Sequence, residues 1–586
     1  MKRILTALVF FILTGHSSVS GFQVMQWYPP VFSLRVQSMD TIMVIFDDNV
    51  DPGSVNQQSF IIRGEWSGNY SGSYLIDSNT VRFIPSRVYG LHWGEKISVT
   101  LTDSISSGGA SLDPAFGWQF FVKTPRGLGV TQQRFVCNPA EPGKLLISMQ
   151  LNSDTDNIGL PDLISIGPGI GRDFLSYWLN NYNGGVNPPF NYYPNTVIQM
   201  DNLYDTDAQA ADFNNDGRVD LIIINEERDY FYYLINQEGG GVEIDSVFYD
   251  AGGYHFSQMT ILDVDQDGWI DLGAISSGSN KLAIFRNLEG ISFDQVVTMD
   301  LGDFWPSDIT ASDFNGDHFP DLAICAQNDG GVVLFLNQAG SGNFIERIVQ
   351  NAPYYITGIT SANADGNRFP DLLIYSSLET GWKAGIIINP MNPLPDTMLF
   401  GIDPSYGHPV KMLAADLDTT GPLDHEYIIL TDNNYVLQYW DRFDIPNHVL
   451  NPIGITDEVE PPDITVIDFD SDGDLDFMVS YESNSSIIGY RNEDNIGECP
   501  HDMPDIVDFG IVEIDSSTQL SYWAYNVSEE MTILQNISGF NSVFSLIDYI
   551  QGDTLWPGDS TLITVAFEPP EYESYTDTII HEIRSG

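Results

Sequence analysis

A nine-residue acidic loop that returns about every 50 residues constrains this chain more than any other feature of its sequence, because self-similarity at such a period means one supersecondary unit repeated. Seven copies begin at Asp154, Asp212, Asp263, Asp313, Asn363, Asp416 and Asp468. The fullest read DFNNDGRVD from Asp212, DVDQDGWID from Asp263 and DFDSDGDLD from Asp468. Each runs into an apolar stretch, as in Leu221-Ile222-Ile223-Ile224 after Asp220. A second mark keeps the same register: an alternating stretch that ends in Asn236, Asn287, Asn337, Asn389 or Asn492, with Asn180 and Asp441 as looser copies. Two independent marks in one register exclude coincidence.

Period-two alternation, abundant Gly and the lack of a 3.6-residue apolar stripe predict antiparallel strands in each unit. A four-stranded blade cannot bury both faces alone, whereas seven arranged radially do so and leave few open edges. An open solenoid is the alternative, but its terminal units would carry distinct capping sequences, and these do not. The expected fold is all-β: a seven-bladed β-propeller over residues 125–498, flanked by two immunoglobulin-like β-sandwiches at 21–124 and 499–586.

In the fullest copies, positions one, three and five are Asp or Asn, six is Gly and nine is Asp. Alternate residues of a tight loop turn their oxygens toward a common centre, and a backbone carbonyl near position seven completes an oxygen cage. Such a cage suits calcium; magnesium demands stricter geometry, and the absence of His and Cys disfavours transition metals. The candidate ligands are Asp212, Asn214, Asp216 and Asp220; Asp263, Asp265, Asp267 and Asp271; and Asp468, Asp470, Asp472 and Asp476. Two further loops depart at position six: Asp313, Asn315, Asp317 and Asp321 surround His318, and Asn363, Asp365, Asn367 and Asp371 surround Arg368. Ile158 and Thr420 replace the fifth-position ligand in the loops at Asp154 and Asp416, which leaves their occupancy open. The competing reading is that Asp, Asn and Gly are turn formers. It accounts for one turn but not for three or four mutually repelling carboxylates in each.

The formal charge is −58, from 81 acidic against 23 basic residues. Such a surface repels phosphate backbones and excludes nucleic acid as a partner. Lys2 and Arg3, the apolar run Ile4 to Thr14 and Ser18-Val19-Ser20 read as a signal peptide over 1–20, and no later stretch is long and apolar enough to span a bilayer. The expectation is a secreted or cell-surface protein. Of the three Cys, Cys325 sits in an apolar run and is expected to be buried, while Cys137 and Cys499 flank the repeats and stand either as a disulfide closing the ring or as two unpaired thiols.

The loops, their strands and the Asn turns resemble the FG-GAP/VCBS repeats of integrin α-subunit propellers and many bacterial surface proteins. That resemblance implies calcium on one face and a role in adhesion or ligand recognition. FDDNVDPGSVNQQSF, NTVRFIP, the Gly-Glu before Ile97 and Trp118-Gln119-Phe120 resemble the SbsA-type bacterial Ig-like domain. Asp508-Phe509-Gly510, Trp556-Pro557-Gly558-Asp559 and the strand Leu562 to Phe567 resemble the ASPM–SPD-2–Hydin Ig-like module.

Catalytic signatures are lacking: there is no G-x-S-x-G elbow, no H-E-x-x-H and no phosphate-binding loop. His425, beside Asp424 and Glu426, is expected on the blade surface. The reading is therefore non-catalytic binding of an extracellular glycan or protein ligand. The alternatives are an accessory lectin module of a carbohydrate-active enzyme and a cell-surface scaffold. Tyr182, Tyr192 and Tyr193, in an Asn-rich aromatic stretch of blade 1, are candidate sugar contacts or else core aromatics of a hairpin.

Overall fold

The computed structural model describes residues 22–124 except 39–40 and 88–89, most of 206–417 apart from turn segments, and elsewhere chiefly the strands. These residues are almost entirely β-strand, with single 3-10 turns at Pro52–Ser54 and Pro404–Tyr406. Residues 21–34 and 38–494 form one compact unit, and 495–586 the body of a second.

Seven sheets follow one another between residues 130 and 492. Blade 3 shows the plan: Gln258–Leu262, Asp271–Ser276, Lys281–Leu288 and Ser292–Asp300 pair in order, all antiparallel. The innermost strands are Leu145–Met149, Thr206–Ala211, Gln258–Leu262, Pro306–Ser312, Gly358–Ala362, Pro409–Ala415 and Asp463–Ile467. Each touches the next, and the last touches the first, so the sheets close into a ring. The seventh sheet borrows its outer strand from the start of the repeat region: Val130–Cys137 pairs with Ser486–Asn492, Cys137 opposite Ile487. The chain ends are thus locked together by backbone hydrogen bonds. Cys499 lies outside the described residues.

Burial explains the composition of each strand. Second strands such as Asp271–Ser276, Asp321–Ala326 and Glu426–Thr431 are buried throughout, because a neighbouring blade covers each face. The core is therefore divided into layers between blades. Ile275 and Ile284 of blade 3 pack with Leu322 and Val333 of blade 4, and Ile374 and Ile387 of blade 5 with Leu334 of blade 4. Outer strands meet solvent and alternate, as in Ser292–Asp300. Cys325 is fully buried, as expected for a small apolar side chain in a second strand.

Residues 22–122 form a sandwich of two four-stranded sheets. One orders Val24–Tyr28, Ile42–Phe46, Thr80–Pro85 and Gly72–Asp77; the other orders Phe116–Phe121, Lys96–Leu101, Phe60–Gly64 and Gly68–Asn69. Phe60 packs on Tyr74 and Phe83 across the sandwich. Phe60–Gly64 is nevertheless buried at every position. Its other face, carrying Ile61 and Arg63, lies on the ring. A Cβ at Gly268, where φ is 91°, would fall 2.4 Å from Ile61 Cδ1. An axial cavity of about 710 Å³ runs along the inner strands and ends against this sheet at Trp118 and Val122.

In the second unit, Thr518–Asn526 and Ser560–Phe567 pair at the centre of one sheet, and Thr532–Ser538 joins Asp553–Leu555 to Ile580–Ser585 in another. Leu534, Ile563 and Val565 are buried, and Phe544 stacks on Phe567.

Candidate metal loops and their surroundings

The described acidic loops connect a first to a second strand, so they stand at one end of the ring. Ala211 pairs with Asp220, Leu262 with Asp271, Ser312 with Asp321, Ala362 with Asp371 and Ile467 with Asp476. Position nine is thus the first residue of each second strand.

The opening Asp folds the loop over itself. Asp212 accepts from the N–H groups of Asp216 at 3.0 Å and Gly217 at 2.8 Å, and Asp263 from Gly268 at 3.1 Å. Asp313 does the same with Gly316, Asp317 and His318. Gly217 and Gly268 take φ of 88° and 91° at position six. His318 adopts 74° there, so the loop geometry survives without Gly, and the strain is borne by a ring packed between Trp27 and Phe116. In the fifth loop Asp365 and Asn367 cap the N–H groups of Asn367 and Phe369, and Asn363 turns its amide toward the Asn367 carbonyl.

In the third loop, atoms of Asp263, Asp265 and Asp267 all lie within 4.8 Å of one another. Asp263 Oδ1 and Asp265 Oδ1 are buried and accept no hydrogen bond. Arg286 pairs with Asp265 and donates to Asp267 Oδ2 at 3.1 Å. Arg218 pairs with Asp216 in the second loop. Burial, with the neighbouring carboxylates, pushes Asp263 up to about 8 and Asp265 to about 6. Burial likewise raises Asp212 and Asp313 to about 6. Acids this desolvated are costly to ionise without a cation. In the seventh loop Asp468 and Asp476 are described, and Asp470 and Asp472 lie outside the described residues. So do Tyr182 and Tyr193; Tyr192 is placed only as the strand partner of Trp178.

The ninth position does more than the loop pattern predicts. Asp271 accepts the Asn287 N–H at 2.7 Å through Oδ1 and the Val264 N–H at 2.9 Å through Oδ2. Asp321, Asp371 and Asp476 repeat both bonds with Asn337, Asn389 and Asn492. In four blades the Asn side chain then reaches the preceding one, whereas Asn389 donates to Asp365 and Asn236 to the Val219 carbonyl, both within their own blades. Asn287 donates to the Phe213 carbonyl, Asn337 to Val264, Asn492 to Leu417 and, across the closure, Asn180 to Phe469. Where that bond forms, aspartate, asparagine and the preceding blade's loop make one belt, and the recurrent Asn that marks the register in the sequence is its link.

His425 and Glu426 correct the expectation of a blade surface, for both are buried. Glu426 pairs with Ala415 and accepts the Leu417 N–H at 2.6 Å, so it fills position nine of the sixth loop. That loop is two residues longer than the others, which hid the correspondence. His425 is covered by Phe121 of the sandwich at 4.5 Å between centroids.

The sandwich rests on these loops. Arg63 donates to Asn215 Oδ1 at 2.8 Å and to the Gly268 carbonyl at 3.0 Å, bridging the second and third loops. Thr100 reaches Asp263 at 3.3 Å, Phe32 receives the Asn363 amide, and Thr124 donates to the Asp416 carbonyl. The sandwich thus covers the face of the ring that carries these loops.

No curated protein matches the chain. Among solved structures, a lectin of Agrocybe aegerita that recognises non-reducing terminal N-acetylglucosamine aligns over 74% of this chain and 99% of its own, at 14% identity and a TM-score of 0.37. A putative 6-phosphogluconolactonase from Bacteroides uniformis aligns over 68% and 98%, at 11% identity and a TM-score of 0.37. Three overlapping segments, 212–274, 263–324 and 313–374, match the FG-GAP-like repeat, and 19–122 match a bacterial Ig-like domain. The chain thus contains three FG-GAP-like repeats behind an N-terminal bacterial Ig-like domain, a composition suggesting a β-rich cell-surface or extracellular protein.

Proposed function

We propose that this is a non-catalytic, calcium-stiffened recognition protein, exported through the signal peptide at 1–20 and acting in adhesion or ligand binding. The observation that carries the calcium reading is the third loop: three converging carboxylates, two of whose buried oxygens accept no hydrogen bond, set in a backbone frame repeated around the ring. Oxygen donors alone, a turn at position six and no His or Cys fit a hard cation with flexible geometry. Asp263, Asp265 and Asp267 would hold it, with Asp212, Asn214 and Asp216 and Asp313, Asn315 and Asp317 as the sets of the neighbouring loops. The position-nine acids contribute beside their belt bonds. In this reading the repeats are of the VCBS type, the N-terminal domain is SbsA-like and the C-terminal module is an ASPM–SPD-2–Hydin-like spacer.

Calorimetric titration of the full chain tests it. At least three calcium equivalents are expected, with a higher Tm in calcium than in EDTA; Asp263→Asn with Asp265→Asn should remove one equivalent. Fewer than three sites, or a Tm indifferent to calcium, would refute the reading. A partner-free scaffold is the competing role, and self-association without any ligand would select it.

A further inference from the structure

The end of the ring opposite the acidic loops carries a second recurring feature. Gln258, Asp308, Gly358 and Lys411 occupy one register in four successive blades, pairing with Ile275, Cys325, Tyr375 and Leu430 of the second strands. Three residues before each stands a ring: His255, Trp305, Tyr355 and His408. The backbone enters in two ways: blades 4 and 6 carry a bulge just before Asp308 and Lys411, and blades 3 and 5 do not. Ser257 and Thr357 donate their N–H groups to the Ile275 and Tyr375 carbonyls, and Gln327 and Asp432 donate theirs to Trp305 and His408. All four precede a first strand, whereas the acidic loops follow one, so the rings lie on the face the sandwich leaves uncovered.

These rings are presented outward. Trp305 is 60% exposed and Tyr355 48%, although their neighbours Phe304 and Ile356 pack into the interblade core. His255 is exposed too. Tyr355 and His255 hold φ of 64° and 47°, a left-handed conformation that a bulky side chain adopts only under constraint and Gly adopts freely. Polar turns separate the rings. Gln327 donates its N–H to the Trp305 carbonyl, the Asn328 carbonyl accepts the Tyr355 N–H, the Asn328 amide reaches the Asp303 carbonyl, and Asp432 holds His408 Nδ1 at 3.0 Å.

We propose that Trp305 and Tyr355, flanked by His255 and His408, form an arc that binds a neutral glycan chain. Ring faces stack on the apolar faces of successive sugars while the intervening amides and carboxylates bond their hydroxyls. A protein partner would need a contiguous apolar centre, whereas here polar turns stand between the described rings. The charge of −58 excludes a polyanionic chain. This inference names the ligand class within the recognition role proposed above and rests on that reading.

The test is titration of the full chain with cellohexaose, mannohexaose and chitohexaose, with hexagalacturonate as the anionic comparison. Saturable binding of at least one neutral hexamer is expected. Trp305→Ala and Tyr355→Gly, the latter suited to the positive φ, should each weaken it by about tenfold or more, equivalent to about 1.4 kcal/mol. Trp305→Phe should recover part of the loss. No neutral hexamer bound, binding indifferent to both substitutions, or tighter binding of hexagalacturonate would overturn the arc. The calcium-dependent Tm, measured on the same samples, separates this failure from failure of the calcium reading.

Discussion

Glu95 shows how much one residue of this chain carries beyond its type. In the sequence it is part of a Gly-Glu pair before a strand. In the fold it is fully buried and accepts from the Trp66 and Ser67 N–H groups, the Ser67 hydroxyl and the Tyr70 hydroxyl at 2.5 Å, closing the turn that carries Arg63 toward the loops. Burial outweighs these donors and raises the carboxyl to about 7. The folded state therefore holds a proton that the unfolded chain releases near pH 4.5. This contribution is present below about pH 4.5 and lost as pH rises through about 7, on the order of 3 kcal/mol. Glu95→Gln cannot ionise, so the Tm gap between wild type and variant should narrow from pH 5 to pH 8. A gap that widens instead would show that the four donors hold the carboxylate charged.

Between elements, the Asp–Asn belt ties neighbouring blades together at four of the junctions around the ring. Asn337 ties the third strand of blade 4 to its own second strand through Asp321 and to blade 3 through the Val264 carbonyl. Its side chain is completely buried, so removing the amide strands acceptors that water cannot reach. Asn337→Ala should cost about 1–3 kcal/mol, read as a lower urea midpoint for the full chain. Asn337→Asp should cost more, because it sets a second carboxylate beside Asp321. An unchanged midpoint in Asn337→Ala would make the belt dispensable. The belt was half-legible: the spacing from Asp to Asn is visible in the sequence, but the bond to the preceding blade joins Asn337 to a residue 73 positions earlier.

For the whole molecule, the decisive contact is the sandwich on the loop face. Arg63 is buried against the Gly268 carbonyl and Asn215, close to the carboxyl groups of Asp212 and Asp263. A cation bound in the second and third loops, as proposed, would fix the groups to which Arg63 docks, so sandwich docking and calcium loading would share one interface. Arg63→Ala removes a desolvated cation between two acidic loops and should weaken docking by about 3–5 kcal/mol. The expected readout is faster tryptic cleavage after Arg126, between the sandwich and the ring, with Lys281→Ala as a surface control. Cleavage unaltered by Arg63→Ala would mean that the apolar contacts of Ile61 and Phe121 hold the sandwich unaided.

The sequence by itself determined the repeat, the all-β class, the register of the acidic loops and the burial of Cys325, because each rests on residue types at short, regular separations. Glu426 escaped for the converse reason: two extra residues shifted it out of the nine-residue frame, and only the pairing of Ala415 restored its place. Tertiary structure alone decided which face is covered. The sandwich strand Phe60–Gly64 lost its alternation because both its faces are buried, yet nothing within that strand says against what. The rings at His255, Trp305, Tyr355 and His408 also recur at nearly the loop period, but a ring beside an apolar strand reads as core until the fold shows which way it faces. Local pattern specifies elements; the partner of each face depends on contacts between residues far apart in the chain.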